Sequence, residues 1–180
     1  MFTQFRTEGF NGYSLKWSPF FENKLAVATA SNFGLVGNGR LFIINMMGDN
    51  ITVERGYDTQ DGLFDVAWSE INENQLWSPQ APRSLQTYTE HTHCVYSTSW
   101  SPYNPTMLAS ASGDQTIKIW DTKSPRSMQT IRAHHNEILS LDWNKYQEHM
   151  LATGSVDKTI KVWDLRRPDR EAKYSRQCRL

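Results

Sequence analysis

The sequence is short of cysteine: among its 180 residues only Cys94 and Cys178 occur, outside any CxxC or Cys/His ligand spacing. That excludes a disulfide framework, suggests no zinc or other metal site, and fits a reducing compartment. Net charge is missing as well. Nineteen Lys and Arg balance nineteen Asp and Glu, so nothing global favours nucleic acid as a partner. No apolar run is long enough to cross a bilayer, and the opening MFTQFRTEGF has no basic segment followed by an apolar core. Secretion and direct membrane insertion are therefore not expected. Nucleophile elbows, phosphate-binding glycine loops and metal-ligand clusters are also lacking, so the chain is read as no enzyme and no cofactor is called for. Gly34, Gly37 and Gly39 in GLVGNGR do not have the GxGxxG spacing, and a turn between two strands accounts for them. His91 and His93 lie two apart without a third ligand. What the chain does have is aromatic mass, with seven Trp, seven Tyr and eight Phe, a heavy load for burial in thin layers.

The dominant positive signal is an internal repeat. Residues 78–100 align with 121–143 at a constant offset of 43, so that Pro82, Arg83, Ser84, Gln86, Thr87, His91 and Trp100 recur as Pro125, Arg126, Ser127, Gln129, Thr130, His134 and Trp143. MLASASGDQTIKIWD (107–121) recurs as MLATGSVDKTIKVWD (150–164) at the same offset. In TIKIWD the apolar Ile117 and Ile119 alternate with Thr116, Lys118 and Trp120, the period of two that makes a strand with one apolar face. Turn residues, Gly113-Asp114 and Val156-Asp157, separate short strands. No segment carries a helical period. A repeat of this length ending in Trp-Asp resembles the four-stranded blade of a WD-type β-propeller.

Each repeat carries a polar set similar to the structural tetrad of such blades. The first is His91, Ser110 or Ser112, Asp114 and Trp120; the second is His134, Thr153 or Ser155, Asp157 and Trp163. Ser112 and Ser155 are taken as the hydroxyl members. A His-Asp-Ser group invites a hydrolytic reading. Its recurrence in each repeat, with an indole every time, favours a buried hydrogen-bonded chain instead.

Trp17, Trp68, Trp100 and Trp143 mark equivalent first strands. The segment SNFGLVGNGR (31–40) lengthens a turn in the first blade, where Ile44-Asn45 replaces Trp-Asp. Trp68 precedes Trp77 by 9 residues, where Trp100 precedes Trp120 and Trp143 precedes Trp163 by 20. The 11 missing residues would form a second strand and its turn, so this blade should be damaged, with an unpaired edge. The expected blades are 9–48, 57–88 (damaged), 89–131 and 132–165. Residues 166–180, with six Lys and Arg against two Asp and Glu, are expected to be a basic, disordered tail.

A closer resemblance rests on GYSLKWSPFFENKLAVATASNFGLVGNGRLFI (12–43), DGLFDVAWSE (61–70), VYSTSWSPYNPTMLASASGDQTIKIWD (95–121) and HNEILSLDWNKYQEHMLATGSVDKTIKVWDLR (135–166). Together these resemble the fungal-type receptors for type-2 peroxisomal targeting signals. The resemblance implies an all-β, seven-bladed WD-repeat propeller, here an internally deleted and truncated copy with about four blades, lacking about 54 residues near Asn74 to Leu76. It also implies a role: capture of cargo proteins through an N-terminal signal that forms an amphipathic helix with a basic residue, together with a co-receptor peroxin and peroxisomal docking proteins, in a receptor shuttling from cytosol to peroxisome matrix. Helix-in-groove recognition asks for acids beside apolar side chains. The loops entering the first strands offer Asp61, Asp65, Glu90 and Glu137, with Leu63, Phe64 and Tyr96 as neighbours. A second reading takes Trp163-Asp164-Leu165-Arg166 as similar to the WDxR ending of substrate adaptors of cullin-type ubiquitin ligases. Cys178-Arg179-Leu180 is similar to the SKL-type peroxisomal tripeptide.

Overall fold

The computed structural model describes residues 4–32, 37–69 and 86–167, and the backbone of 176–177. The short link around Trp77, Gly34 and the Cys178-Arg179-Leu180 ending lie outside the described residues. Among the described residues every regular element is a strand. The chain divides into two compact units, Met1–Leu85 and Gln86–Leu180.

The first unit holds one antiparallel meander of β1 (Asn11–Trp17), β2 (Lys24–Ala30), β3 (Gly39–Met47) and β4 (Asn50–Thr59), in sequential order. The blade expected at 9–48 thus runs on to Thr59, because the Met47–Asn50 hairpin continues the sheet. Gly39 has a steric cause. A Cβ there would sit 2.5 Å from Asp61 O and 2.9 Å from Leu63 N, so only glycine lets the chain after β4 fold back over β3. One face of the sheet buries Ala26, Leu41 and Tyr57 under Leu63, Val66 and Trp68.

Residues 61–69 form no strand, although Trp68 was expected in one. With the second strand and its turn missing from the sequence, a first strand here has no ladder partner. Trp68 nevertheless keeps a blade-like position: its indole N–H donates to Lys16 O at 2.9 Å.

The second unit contains two meanders. The first is β5 (Val95–Trp100), β6 (Met107–Ser112), β7 (Thr116–Asp121) and β8 (Ser127–Arg132); the second is β9 (Ile138–Trp143), β10 (Met150–Ser155), β11 (Thr159–Asp164) and β12 (Arg176–Gln177). Thr116–Asp121 and Thr159–Asp164 are the third strands of their sheets, as the 43-residue offset requires. The fourth strand of the last sheet comes from the region read as a disordered tail, where Gln177 pairs with Thr159 and Arg176 with Ile160.

The two sheets share a single core. Ala109, Ala111, Ile117, Ile119 and Ile131 from one meet Ile138, Leu141, Trp143, Leu151 and Trp163 from the other. The Trp143 indole donates to Ser99 O at 3.0 Å and Ser97 Oγ accepts from Leu141 N at 3.2 Å. The Trp143 contact repeats that of Trp68 with Lys16, since Ser99 and Lys16 each precede the first-strand tryptophan of their own sheet.

Candidate functional site

Both tetrads assemble from the same strand positions. His91 Nδ1 donates to Asp114 Oδ2 at 2.8 Å, its Nε2 accepts from Ser110 Oγ at 2.7 Å, and Ser110 Oγ accepts from the Trp120 indole at 2.8 Å. In the second repeat His134 Nδ1 meets Asp157 Oδ2 at 2.9 Å, Nε2 meets Thr153 Oγ1 at 2.8 Å, and Thr153 Oγ1 accepts from Trp163 at 3.0 Å. The hydroxyl members are therefore Ser110 and Thr153, not Ser112 and Ser155. The latter pair sits at the strand ends, where each accepts from the backbone N–H of Asp114 or Asp157.

This chain has the connectivity of a hydrolytic triad without its access. Ser110 and Thr153 are buried, and each oxygen is already closed by an indole N–H. Burial pushes the His91 imidazole below its ordinary pKa, outweighing the opposing pull of Asp114, so it is neutral at pH 7. Burial alone would raise Asp114, but hydrogen bonds from Thr116, His91 and the Thr92 N–H outweigh it and hold the carboxyl at about 2. Asp157 is held low in the same way by Thr159, the His135 N–H and His134. Neutral His against ionised Asp is the state that satisfies every donor and acceptor of the set.

Ser112 and Ser155 have another task. Ser112 Oγ donates to His93 O at 3.1 Å and Ser155 Oγ to Glu137 O at 2.8 Å. Each serine thereby ties its β6–β7 or β10–β11 turn to the loop entering the first strand of the same sheet. Backbone bonds from Gly113 N to Cys94 O and from Val156 N to Glu137 O reinforce the tie.

Two of the sequence-predicted binding residues converge there. A Cβ on Gly113 would lie 3.3 Å from the Tyr96 ring, 3.4 Å from His93 Cβ and 3.5 Å from Glu137 Oε1. Tyr96 and Glu137 thus flank one point from adjacent sheets, with His93 beside them. Burial raises the Tyr96 phenol above its ordinary pKa, and Glu137 adds to the rise. His93 and Gly113 were not singled out for binding; their repeat equivalents, Asn136 and Val156, differ in chemistry, and that divergence was the available signal.

Of the other binding candidates, Glu90, Asp65, Leu63 and Phe64 are otherwise engaged. Glu90 accepts from Ser127 N and Oγ and from Lys118 Nζ at 3.0, 2.6 and 3.3 Å; the Ser127 bonds foremost hold its carboxyl at about 2. It fastens β7 and β8 from outside. In the first unit, Asp65 Oδ1 accepts from Ser14 Oγ at 2.7 Å and from Val66 N at 2.8 Å. Leu63 belongs to the core, and Phe64 packs edge-to-face on Tyr13 at 5.0 Å. Asp61 is exposed, its backbone carbonyl accepting from Thr59 Oγ1.

At the opposite ends of the strands in the second unit, a cleft of about 360 Å³ is lined by Met107, Met128, Gln129, His149, Leu165 and Arg166, among others. Arg166 does not reach out from it: Nε and one terminal nitrogen donate to Asp164 at 2.9 and 2.7 Å. Among the described residues no group of three His, Cys, Asp or Glu is placed to hold a metal ion.

The WD domain, G-beta repeat family matches residues 82–121 and 125–164. A peroxisomal targeting signal 2 receptor of Komagataella phaffii is 60% identical over 74 residues, which cover 41% of this chain and 20% of the relative. Receptors of the same name from Saccharomyces cerevisiae and Homo sapiens are 41% and 40% identical over 129 and 127 residues, covering 64% and 63% of this chain and 34% and 39% of theirs. The chain thus spans about a fifth to two fifths of the curated relatives it matches. In architecture it is similar to a chain in the crystal structure of a mitotic checkpoint complex, with a TM-score of 0.77 at 22% identity over 96% of this chain and 52% of that one. This last likeness concerns the fold alone. The chain is an all-β protein of antiparallel sheets that carries WD repeats over 82–121 and 125–164, and in sequence it is similar to the peroxisomal targeting signal 2 receptors.

Proposed function

We propose that this chain is a protein-binding module for N-terminal type-2 peroxisomal targeting signals, reading the signal's basic residue with Glu137 and its apolar face with Tyr96. The kinship to receptors of that name carries the reading. The local geometry supports it, because a carboxylate and an aromatic ring converge on a backbone held by Ser112 and Ser155, a rigid seat for an amphipathic helix. Asp61, seven residues before Trp68 where Asn136 and Glu137 lie seven and six before Trp143, is the neighbouring acid of the first unit. In this reading the signal arrives on cargo in the cytosol, a co-receptor completes the grip, and docking proteins take the complex to the peroxisome matrix.

The test is fluorescence anisotropy of a labelled type-2 signal peptide against the 180-residue chain. Removing one charge-paired contact in a half-desolvated groove costs about 1–3 kcal/mol, so Glu137→Gln should weaken binding roughly tenfold with its melting temperature unchanged. Equal affinity for a peptide whose basic residue is replaced by glutamate would overturn the assignment.

A further inference from the structure

Both first strands of the second unit carry one extra residue. Tyr96 is bulged between the Val95/Ser112 and Ser97/Ala111 pairs, and Leu139 between the Ile138/Ser155 and Ser140/Gly154 pairs. A bulge re-aims the side chain it carries. Here the Tyr96 ring comes over the β6–β7 turn, where its Cε2 lies 3.3 Å from the point that a Cβ on Gly113 would occupy. Glu137 Oε1 reaches the same point at 3.5 Å. The Glu137 backbone is fastened twice, because its carbonyl accepts from Val156 N at 3.0 Å and from Ser155 Oγ at 2.8 Å. With the backbone fixed, the place of the carboxylate depends on what the side chain rests against.

The turn itself does not ask for glycine at this position. Gly113 lies outside the left-handed region of φ, and in the next repeat Val156 fills the same place. The bonds around the two residues match: Gly113 N donates to Cys94 O at 2.9 Å as Val156 N does to Glu137 O, and the Asp114 and Asp157 N–H groups both donate to the serine before them. A side chain is therefore compatible with the turn. It is not compatible with the groups packed above, since Gly113 is buried and His93 Cβ stands on its third side at 3.4 Å. A carbon contact of 3.3 Å is closer than ordinary van der Waals separation. The ring must give way to a methyl group, and a β-branched side chain would displace the ring, the carboxylate or both.

Where Tyr96 and Glu137 read the signal, as the function proposed above requires, we propose that Gly113 is the positioning residue of the site. Its missing side chain lets the Tyr96 ring and the Glu137 carboxylate settle together on the β6–β7 turn, and their pairing sets the affinity for the signal's basic residue. Gly113 acts only through these two side chains.

Fluorescence anisotropy of the labelled type-2 signal peptide against variants of the 180-residue chain tests this, with a thermal melt of each. Gly113→Val should weaken binding roughly tenfold, as Glu137→Gln does, and Gly113→Ala by a smaller factor of about three, in order of bulk. Alanine suits the backbone and restricts the unfolded chain, so it replaces valine throughout if valine unfolds the second unit. Because Gly113 works through Glu137, the losses should not add: with Gly113→Val already in place, Glu137→Gln should cost no more than about twofold further. A side chain that merely disturbed the fold would not show this coupling. Undiminished affinity in the Gly113 variants that stay folded, or losses that add in the double variant, would overturn the role of Gly113 while a weakened Glu137→Gln keeps the binding assignment. A Glu137→Gln chain that binds as tightly as the wild type would overturn the assignment and the role of Gly113 with it.

Discussion

Ser110 and Thr153 decide how each tetrad holds together. Removing the Ser110 hydroxyl strands a buried indole N–H and the Nε2 lone pair of His91, so Ser110→Ala should cost about 1–3 kcal/mol in urea unfolding. Ser110→Thr should cost less than about 1 kcal/mol, because the next repeat builds the same bonds from Thr153; a threonine variant as unstable as the alanine would refute the equivalence. The same set predicts a pH profile. His91 is depressed in the fold relative to its ordinary 6.5, so the unfolded chain binds its proton first, and stability present above pH 6.5 is lost as pH falls below it. Asp114, at about 2 against an ordinary 3.8, contributes stability that is present above 3.8 and lost between 3.8 and about 2, roughly 2 kcal/mol in all. The urea midpoint should be flat from pH 8 to 7 and decline in two stages on acidification. A midpoint that rises between pH 7 and 5 would contradict the neutral-histidine assignment. That a tetrad existed was legible in the sequence from recurrence. Which serine served it was not: Ser110 and Ser112 are two apart on one strand, hence on the same face, and only the reach of the Trp120 indole along the sheet separates them.

Elements repeated at 43 residues were legible almost to their ends, because β6, β7, β10 and β11 combine alternating apolar residues with turns that share a serine, an aspartate and a threonine at the same places. Elements outside the repeat were not. The fourth strand of the first sheet, Asn50–Thr59, alternates weakly and lies mostly exposed, and Arg176–Gln177 has only two residues to signal a strand. The tight turns also hold a feature that composition hides. Gln115 and Lys158 have φ of 70° and 67°, a left-handed conformation that disfavours a side chain with a Cβ. The Asp114 and Asp157 carboxylates hold each turn by accepting from the backbone and hydroxyl of Thr116 and Thr159. Gln115→Gly and Lys158→Gly should therefore raise stability by about 0.5–1 kcal/mol each, relief of strain exceeding the entropy that glycine adds to the unfolded chain. Thermal melts of the two single variants check this, and a lowered melting temperature in both would show that the turn side chains hold more than the backbone strain they impose.

At the scale of the whole molecule, the sheets draw their stability chiefly from the side chains buried on their faces. That burial is unevenly distributed among the described residues. In the second unit one cluster contains Ala109, Ala111, Ile117, Ile119, Ile131, Ala133, Ile138, Leu141, Trp143, Leu151 and Trp163, all buried, with a tetrad in each sheet. In the first unit the corresponding cluster is Ala26, Leu41 and Tyr57 under partly buried Leu63, Val66 and Trp68, and among the described residues no tetrad crosses its sheet, since Val27 and Ile44-Asn45 stand where the hydroxyl member and Trp-Asp would be. Its β1 is an edge strand with Leu15 and Trp17 in solvent. Opening the first sheet therefore exposes less apolar surface and breaks fewer buried polar bonds than opening either sheet of the second unit. Native-state hydrogen exchange read by mass spectrometry should find the amides of β6, β7, β10 and β11 more protected than those of β1 and β2. A difference on the order of 2 kcal/mol in opening free energy corresponds to roughly thirty-fold in exchange rate. Equal protection across β1, β2, β6, β7, β10 and β11 would mean that the chain opens as one cooperative body, and the uneven distribution of buried side chains would then not govern its stability.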